Sequence, residues 1–160
     1  WPSTAFEEGN PNLKPEKGVT GEFGVEARIN KYLTSGLTYF RSDYKQLIKW
    51  SYDSSSKMTQ PENINSAVIN GIEFENKIFI SNNFDLNINY TYMIAKDEKT
   101  HKYLVYQPEQ KIDSSLKYND HNGLTVELKG QFTGIRYDNS ANSIKVKSFY
   151  VFVSPSEIYT

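Results

Sequence analysis

Between residues 19 and 30 the chain sorts its side chains by parity. Val19, Gly21, Phe23, Val25, Ala27 and Ile29 fall on one face, and Thr20, Glu22, Gly24, Glu26, Arg28 and Asn30 on the other. Successive strand residues point to opposite sides, whereas a helix would mix these two sets around its axis. The rhythm returns along the chain. Phe84, Leu86, Ile88, Tyr90, Tyr92 and Ile94 alternate with Asp85, Asn87, Asn89, Thr91, Met93 and Ala95. Val68, Ile72, Phe74, Ile78 and Ile80 share a face, interrupted by Asn70 and Asn76 and backed by Gly71, Glu73, Glu75 and Lys77. Ile112, Leu116 and Tyr118 oppose Lys111, Asp113, Ser115, Lys117 and Asn119; Leu124, Val126, Leu128, Gly130 and Phe132 oppose Thr125, Glu127, Lys129, Gln131 and Thr133. Over residues 37–49 the pattern favours Phe40, Tyr44 and Ile48 on the apolar side, with Arg41, Asp43 and Lys45 opposite. Residues 149–153 are aromatic or β-branched on both faces, which leaves their orientation open. The expectation is an all-β chain of about seven consecutive antiparallel strands.

The connections carry a second regularity. Residues 30–36, 81–83 and 119–123 are short and rich in turn formers, while residues 50–66, 96–109 and 137–146 are longer and polar. Short and long alternate strictly, so all long connections fall at one end of the strands. Twelve alternating residues at roughly 3.3 Å each make about 40 Å. Tilted by roughly 40°, such a strand spans about 30 Å, the reach of a membrane-crossing barrel strand and more than a usual soluble strand of roughly 5–6 residues. Mean hydropathy is −0.63, which does not exclude a barrel because its strands average apolar with polar positions. Aromatics at 14%, with 12 Tyr and 9 Phe, suit the girdles that barrels place at both interfaces. No apolar run is long enough for a transmembrane helix. With 18 basic against 19 acidic residues, electrostatics give no case for nucleic acid. Cysteine is absent, which removes disulfide and thiolate metal sites.

The charged faces admit two readings. Glu22, Glu26 and Arg28, or Glu73, Glu75 and Lys77, could face solvent in a soluble sandwich or a wet lumen in a barrel. The rival is therefore a soluble β-rich binding module, a surface adhesin or glycan-binding sandwich. It would pack Phe23, Val25, Phe74, Leu86, Ile88 and Leu128 together in a core; a barrel turns them outward. A passive porin is the third reading.

Residues 10–17, Asn10-Pro11-Asn12-Leu13-Lys14-Pro15-Glu16-Lys17, resemble the segment that precedes a late barrel strand in TonB-dependent outer-membrane receptors. Tyr39-Phe40 then Leu47-Ile48 look like the next strand, Asn65, Gly71 and Glu73 like a strand start of the N…G-x-E type, and Tyr90-Thr91-Tyr92 with Ala95 and Asp97 like a further one. Leu104 and Pro108 match the approach to the following strand, and Arg136-Tyr137 the end of the one after. The similarity runs from about Gly9 to Tyr137 and is nearest to cobalamin and siderophore receptors. It implies a barrel of about 22 strands with a plugged lumen in the bacterial outer membrane. Residues 1–160 would be part of that barrel, without plug or closing strand. The implied partners are outer-membrane lipid, the remainder of the barrel and its plug, the TonB complex acting through that plug, and a small nutrient ligand: a ferric siderophore, cobalamin or haem.

No catalytic constellation is found, so no enzyme, cofactor or metal site is expected. His101 and His121, the only histidines, lie in different connections, which disfavours a shared metal site, and His101 either touches haem or an iron complex or, as the favoured reading, is an ordinary loop histidine. Glu73 and Glu75 share one strand face, as like charges lining an aqueous lumen would. Trp50, Tyr52, Tyr103 and Tyr106 flank the long connections. They either belong to the interfacial girdle or stack on a siderophore or corrin. Arg136 and Tyr137 are ligand contacts or simply the strand rim.

Overall fold

The computed structural model describes residues 9–53, 57–63, 66–120 and 123–153. Eleven strands are present among them: β1 (Lys17–Asn30), β2 (Leu33–Lys45), β3 (Ile48–Asp53), β4 (Met58–Asn63), β5 (Ser66–Phe79), β6 (Phe84–Asp97), β7 (Gln110–Asn119), β8 (Thr125–Thr133), β9 (Arg136–Tyr137), β10 (Lys145–Val146) and β11 (Phe149–Val153). Seven form one antiparallel sheet in the order β1-β2-β5-β6-β7-β8-β11. The β3–β4 hairpin and the two-rung β9–β10 ladder lie outside that sheet, each inside a long connection. The seven expected strands are thus all present, and the long connections share one end.

Register turns seven local alternations into two continuous surfaces. Val25, Leu37, Phe74, Tyr90, Ile112, Phe132 and Tyr150 pair in succession, one residue per strand, across the whole sheet. One position along, Glu26, Gly36, Glu75, Asn89, Asp113, Gln131 and Val151 form the matching row on the other side. A slip of one residue anywhere would send a whole strand's apolar set into the polar row, so the pattern itself fixes the register. On the polar side, strands β6, β7, β8 and β11 line a depression of about 340 Å³, among whose walls are Asn87, Asn89, Asp113, Glu127 and Gln131.

The apolar row is not a core. Phe23 is 73% exposed, Val25 60%, Phe74 44% and Leu128 51%, and among the described residues the buried nonpolar ones are only small side chains, prolines and glycines: Ala67, Ala95, Pro61, Pro108, Gly71 and Gly134. A soluble sandwich would hide these side chains between two layers, and the exposed face removes that reading. Aromatic pairs mark the surface: Phe84 with Tyr118 at 4.8 Å, Phe132 with Tyr150 at 4.7 Å between ring centroids. Phe84 and Tyr92 lie eight residues apart on β6. That is about 26 Å along the strand, or about 20 Å along a normal tilted by roughly 40°. Ile88 stands midway between them.

Polar residues on the apolar face are satisfied locally. Ser35 Oγ donates to Asn76 Oδ1 at 2.9 Å, Tyr39 Oη to Asn70 Oδ1 at 3.4 Å, and Ser114 Oγ to the Gly130 carbonyl at 3.2 Å. A hydrogen-bonded polar group costs far less in an apolar medium than a bare one.

Strand β2 corrects the sequence reading. It ends at Lys45, and Ile48 opens β3 instead of closing the same strand. Its facing is also the reverse of that expected. Arg41 pairs with Gly21 and Asn70, and Asp43 with Val19 and Val68, so both lie on the apolar side; Phe40 pairs with Glu22 and Gly71, on the polar side. Two local devices explain the inversion. Arg41 and Asp43 neutralise one another through a two-point contact, Nε to Oδ2 at 2.9 Å and Nη2 to Oδ1 at 2.8 Å. Phe40 lies flat over Gly71, where an added Cβ would strike its ring and the Tyr92 carbonyl. Arg136-Tyr137, expected to end the strand at β8, instead form β9 beyond a break at Gly134 and Ile135. The open question of β11 resolves with Tyr150 and Phe152 on the apolar side, and Val151 and Val153 opposite Gln131 and Lys129 on the polar side.

Candidate functional site

The long connections dock on one another in two groups. In the first, the segment before β1 is fastened to the β3–β4 hairpin. Lys14 N–H donates to Asn63 Oδ1 at 2.8 Å, while Asn63 Nδ2 donates to the carbonyls of Lys14 at 2.9 Å and Gln46 at 2.6 Å. Asn10 Nδ2 reaches the carbonyl of buried Pro61 at 3.0 Å, and Glu16 accepts the Ile48 N–H. Asn10 also closes its own turn, accepting Asn12 N–H on Oδ1 at 2.9 Å. The Asn10, Pro11, Asn12, Leu13, Pro15, Glu16 string thus has a structural use: its ends staple the chain to a hairpin, Asn10 across 51 residues and Glu16 across 32. The β3–β4 hairpin carries its own ion pair, Lys49 to Glu62 at 3.3 Å. A hydrogen bond from Ser51 holds the Glu62 carboxyl below its ordinary value.

The second group joins residues 98–109 to residues 134–148. Asn142 brackets Tyr103, accepting its N–H at 2.7 Å and donating to its carbonyl at 3.0 Å. Tyr106 N–H donates to the Tyr137 carbonyl at 2.9 Å. The rings of Tyr103 and Tyr137 stack with centroids 5.4 Å apart. Lys96 Nζ sits 4.9 Å from the Tyr103 ring centre. A hydrogen bond to Glu109 raises the Tyr103 phenol above its ordinary value, and one to Asp138 does the same for Tyr106. Asp97 starts this group: its Oδ1 accepts the N–H of Lys99 at 3.0 Å and of Thr100 at 2.7 Å, and the Thr100 hydroxyl at 2.9 Å. The turn leaves His101 and Tyr106 in the left-handed region, at φ 57° and 59°.

Between the two groups lies a cavity of about 610 Å³. Leu47, Ile48 and Lys49 form one wall; Lys102, Tyr103, Leu104, Val105 and Gln107, with Ser140 and Ala141, form the other; Tyr44, Ile69 and Asp97 come from the ends of β2, β5 and β6. Mostly apolar and aromatic walls, with the ammonium groups of Lys102 and of ion-paired Lys49 set against the Asp97 carboxylate, suit a bulky, part-apolar guest.

Of the residues singled out from sequence, Tyr103 lines this cavity, and Tyr106 and Tyr137 lock behind it. Trp50 and Tyr52 lie on β3 outside the lining, 46% and 64% exposed. His101 is exposed and also outside it, although both its neighbours contribute. The Arg136 guanidinium stands 5.1 Å from the Phe149 ring centre, with Nη1 buried and unbonded. His121 and Asn65 lie outside the described residues. Sequence reasoning passed over Tyr44, Ile69, Leu47, Lys49 and Lys102. Correct facing of β2 would have found Tyr44, which lies over Gly18 on the polar side. Gly71, Glu73, Tyr90 and Tyr92 are strand residues, Gly71 and Glu73 on the polar side and Tyr90 and Tyr92 on the apolar side.

The family model described as TonB dependent receptor-like, beta-barrel matches residues 2–153. The ferric enterobactin receptor PirA of Pseudomonas aeruginosa is 32% identical over 133 residues, which is 79% of this chain and 18% of that protein. The vitamin B12 transporter BtuB of Photobacterium profundum is 27% identical over 152 residues, 93% of this chain and 24% of that protein. Among solved structures, a mutant of the ferric enterobactin receptor PfeA of Pseudomonas aeruginosa superposes with a TM-score of 0.67 at 26% identity, over 89% of this chain and 23% of that one. The chain therefore spans about a quarter or less of the length of these relatives.

Proposed function

Because the chain belongs to the TonB-dependent receptor β-barrel family, we propose that it forms part of the wall of a receptor that captures a scarce nutrient complex at its long-loop end and imports it with TonB-supplied energy. The family's barrels sit in the bacterial outer membrane, and its members are transporters and receptors. In this reading the exposed apolar rows meet lipid, the polar rows face a lumen holding a plug, and the long loops stand outside the cell.

The observation that carries the reading is the loop cavity, whose floor is made by the ends of strands that continue inward as the polar wall. A guest held there lies at the mouth of the lumen. Relatives named for ferric enterobactin and for vitamin B12 make a ferric siderophore or cobalamin the first guests to try, with haem a third. Tyr103, Lys49 and Lys102 are the foremost contacts. Tyr106, Tyr137 and Arg136 support that wall, and Trp50, Tyr52 and His101 sit where a larger guest would reach.

The test is uptake of labelled ferric enterobactin and cyanocobalamin by cells making a complete receptor that contains these strands, with and without TonB. We expect uptake of one of them to fall to background without TonB, and its affinity to drop about tenfold or more in Tyr103→Ala. Uptake that persists without TonB indicates a passive porin and overturns the reading.

A further inference from the structure

We propose that the loop cavity selects a guest without net negative charge, held by its apolar body and by uncharged polar groups instead of by ion pairs. The proposal rests on the reading that this cavity is the receptor's guest site, and it narrows the class of guest.

The charges of the wall cancel. Among the described residues its charged lining is Lys49, Lys102 and Asp97. Register sets Lys49 directly opposite Glu62 on the β3–β4 hairpin, where Nζ stands 3.3 Å from Oε1. Ser51 Oγ donates to the same oxygen, which favours the ionised form of Glu62. Lys102 faces an anion of its own. Asp97 N–H donates to the Lys102 carbonyl at 2.9 Å, so both residues belong to one short turn and line the same space. Asp97 Oδ1 accepts three hydrogen bonds, from the N–H of Lys99 and of Thr100 and from the Thr100 hydroxyl, and these stabilise its charged form. Tyr103 carries one charge of each sign, Lys96 near its ring and Glu109 at its hydroxyl. Lys49 and Lys102 against Asp97 and Glu62 leave the lining and its direct partner with no net charge.

Such a wall favours one class of guest. A polyanion would shed water against it and meet no surplus cation, and desolvated charge without a counter-charge is strongly disfavoured. The wall offers dispersion and neutral hydrogen bonding instead. Leu47, Ile48, Ile69, Leu104, Val105 and Ala141 supply aliphatic surface. Tyr44 and Tyr103 supply rings, and Gln107 and Ser140 an amide and a hydroxyl. A bulky complex with an apolar body and an uncharged polar rim matches that inventory. A compact ferric catecholate with its charge at the surface does not.

The experiment titrates a complete receptor in detergent with cyanocobalamin, which has no net charge, and with polyanionic ferric enterobactin, at roughly 0.05 M and 0.5 M salt. Cyanocobalamin should bind roughly a hundredfold or more tighter, and its affinity should change by less than about twofold across the salt range. Glu62→Gln strips Lys49 of its counter-charge. It should raise affinity for ferric enterobactin about tenfold, the effect of one charge-assisted hydrogen bond, with no matching gain for cyanocobalamin. Unchanged heat-modifiable migration in gels verifies folding of the variant. Unchanged affinity of Glu62→Gln for ferric enterobactin overturns the selection. So does ferric enterobactin binding the parent as tightly as cyanocobalamin while being weakened by Tyr103→Ala, a result that leaves the guest site itself in place. If Tyr103→Ala weakens neither probe, the guest lies elsewhere, and the proposed function of the cavity falls together with its charge selection.

Discussion

The two ends of the sheet are built by different physics. At the short-turn end the chain reverses in a few residues with bonds made inside or between adjacent turns. Asn30 Oδ1 accepts Tyr32 N–H at 2.7 Å, Asn83 Nδ2 donates to the Asn119 carbonyl at 2.7 Å, and Gly123 takes a φ of 119° that a side chain would resist. At the long-loop end the decisive bonds span 39 to 51 residues, as in Asn142 with Tyr103, Asn63 with Lys14, and Asn10 with Pro61. The short end needs only local chemistry, so many sequences satisfy it. The long end needs particular side chains to meet from far apart, and it is there that the cavity lies. Variation at that end can reshape the cavity while the strands below keep their register.

That contrast can be broken most forcefully within the strands. In a complete receptor barrel containing them, Ile88→Arg should cost roughly 2–4 kcal/mol because it puts a cation at mid-membrane depth. Asn87→Arg, one residue away on the lumen side, should be mild. Equal costs in equilibrium unfolding would mean the two faces have been assigned wrongly. Next in size is Gly71→Ala, whose Cβ meets Phe40 and the Tyr92 carbonyl. Overpacking of this kind costs about 1–3 kcal/mol. Gly21→Ala, with nothing within 4 Å of its added Cβ, should stay within about 0.5 kcal/mol of the parent. The smallest global effect is expected from Asn142→Ala. It removes the bracket on Tyr103 and should loosen residues 134–148 by about 1–2 kcal/mol, seen as faster protease nicking there, while barrel unfolding stays unchanged. A matching loss in barrel stability would show that loops and strands are one cooperative unit.

Parity carried most of the fold in the sequence. Strands such as β1 and β6 have one face that is almost purely nonpolar, so their alternation is unmistakable. Strand β2 misled because Arg41 and Asp43 cancel each other on the wrong side, and because Phe40 and Tyr44 rest over Gly71 and Gly18 of neighbouring strands. A single strand's sequence does not show which glycine its aromatic will cover. The β3–β4 hairpin was hidden for another reason: Ile48, Trp50 and Tyr52 alternate with polar residues on β3, but β4 (Met58–Asn63) shows no such alternation, and the hairpin depends on Asn63 reaching Lys14 and Gln46. The site was half legible. Aromatics at loop flanks pointed to Tyr103, which lines the cavity, to Tyr106 beside it, and equally to Trp50 and Tyr52, which lie outside it. Lys49, Lys102 and Leu47 are ordinary loop residues until the two loop groups close around a space.

The strand order has a consequence for how such a wall is made. Each long strand is hydrogen-bonded only to the ones before and after it, with no crossover anywhere in β1-β2-β5-β6-β7-β8-β11. Nothing in one hairpin waits for a distant segment to arrive, so the ladder can grow hairpin by hairpin along the chain. By the same token, a duplication or deletion of two strands would leave every remaining neighbour in place, and the bore could widen or narrow over generations by whole hairpins.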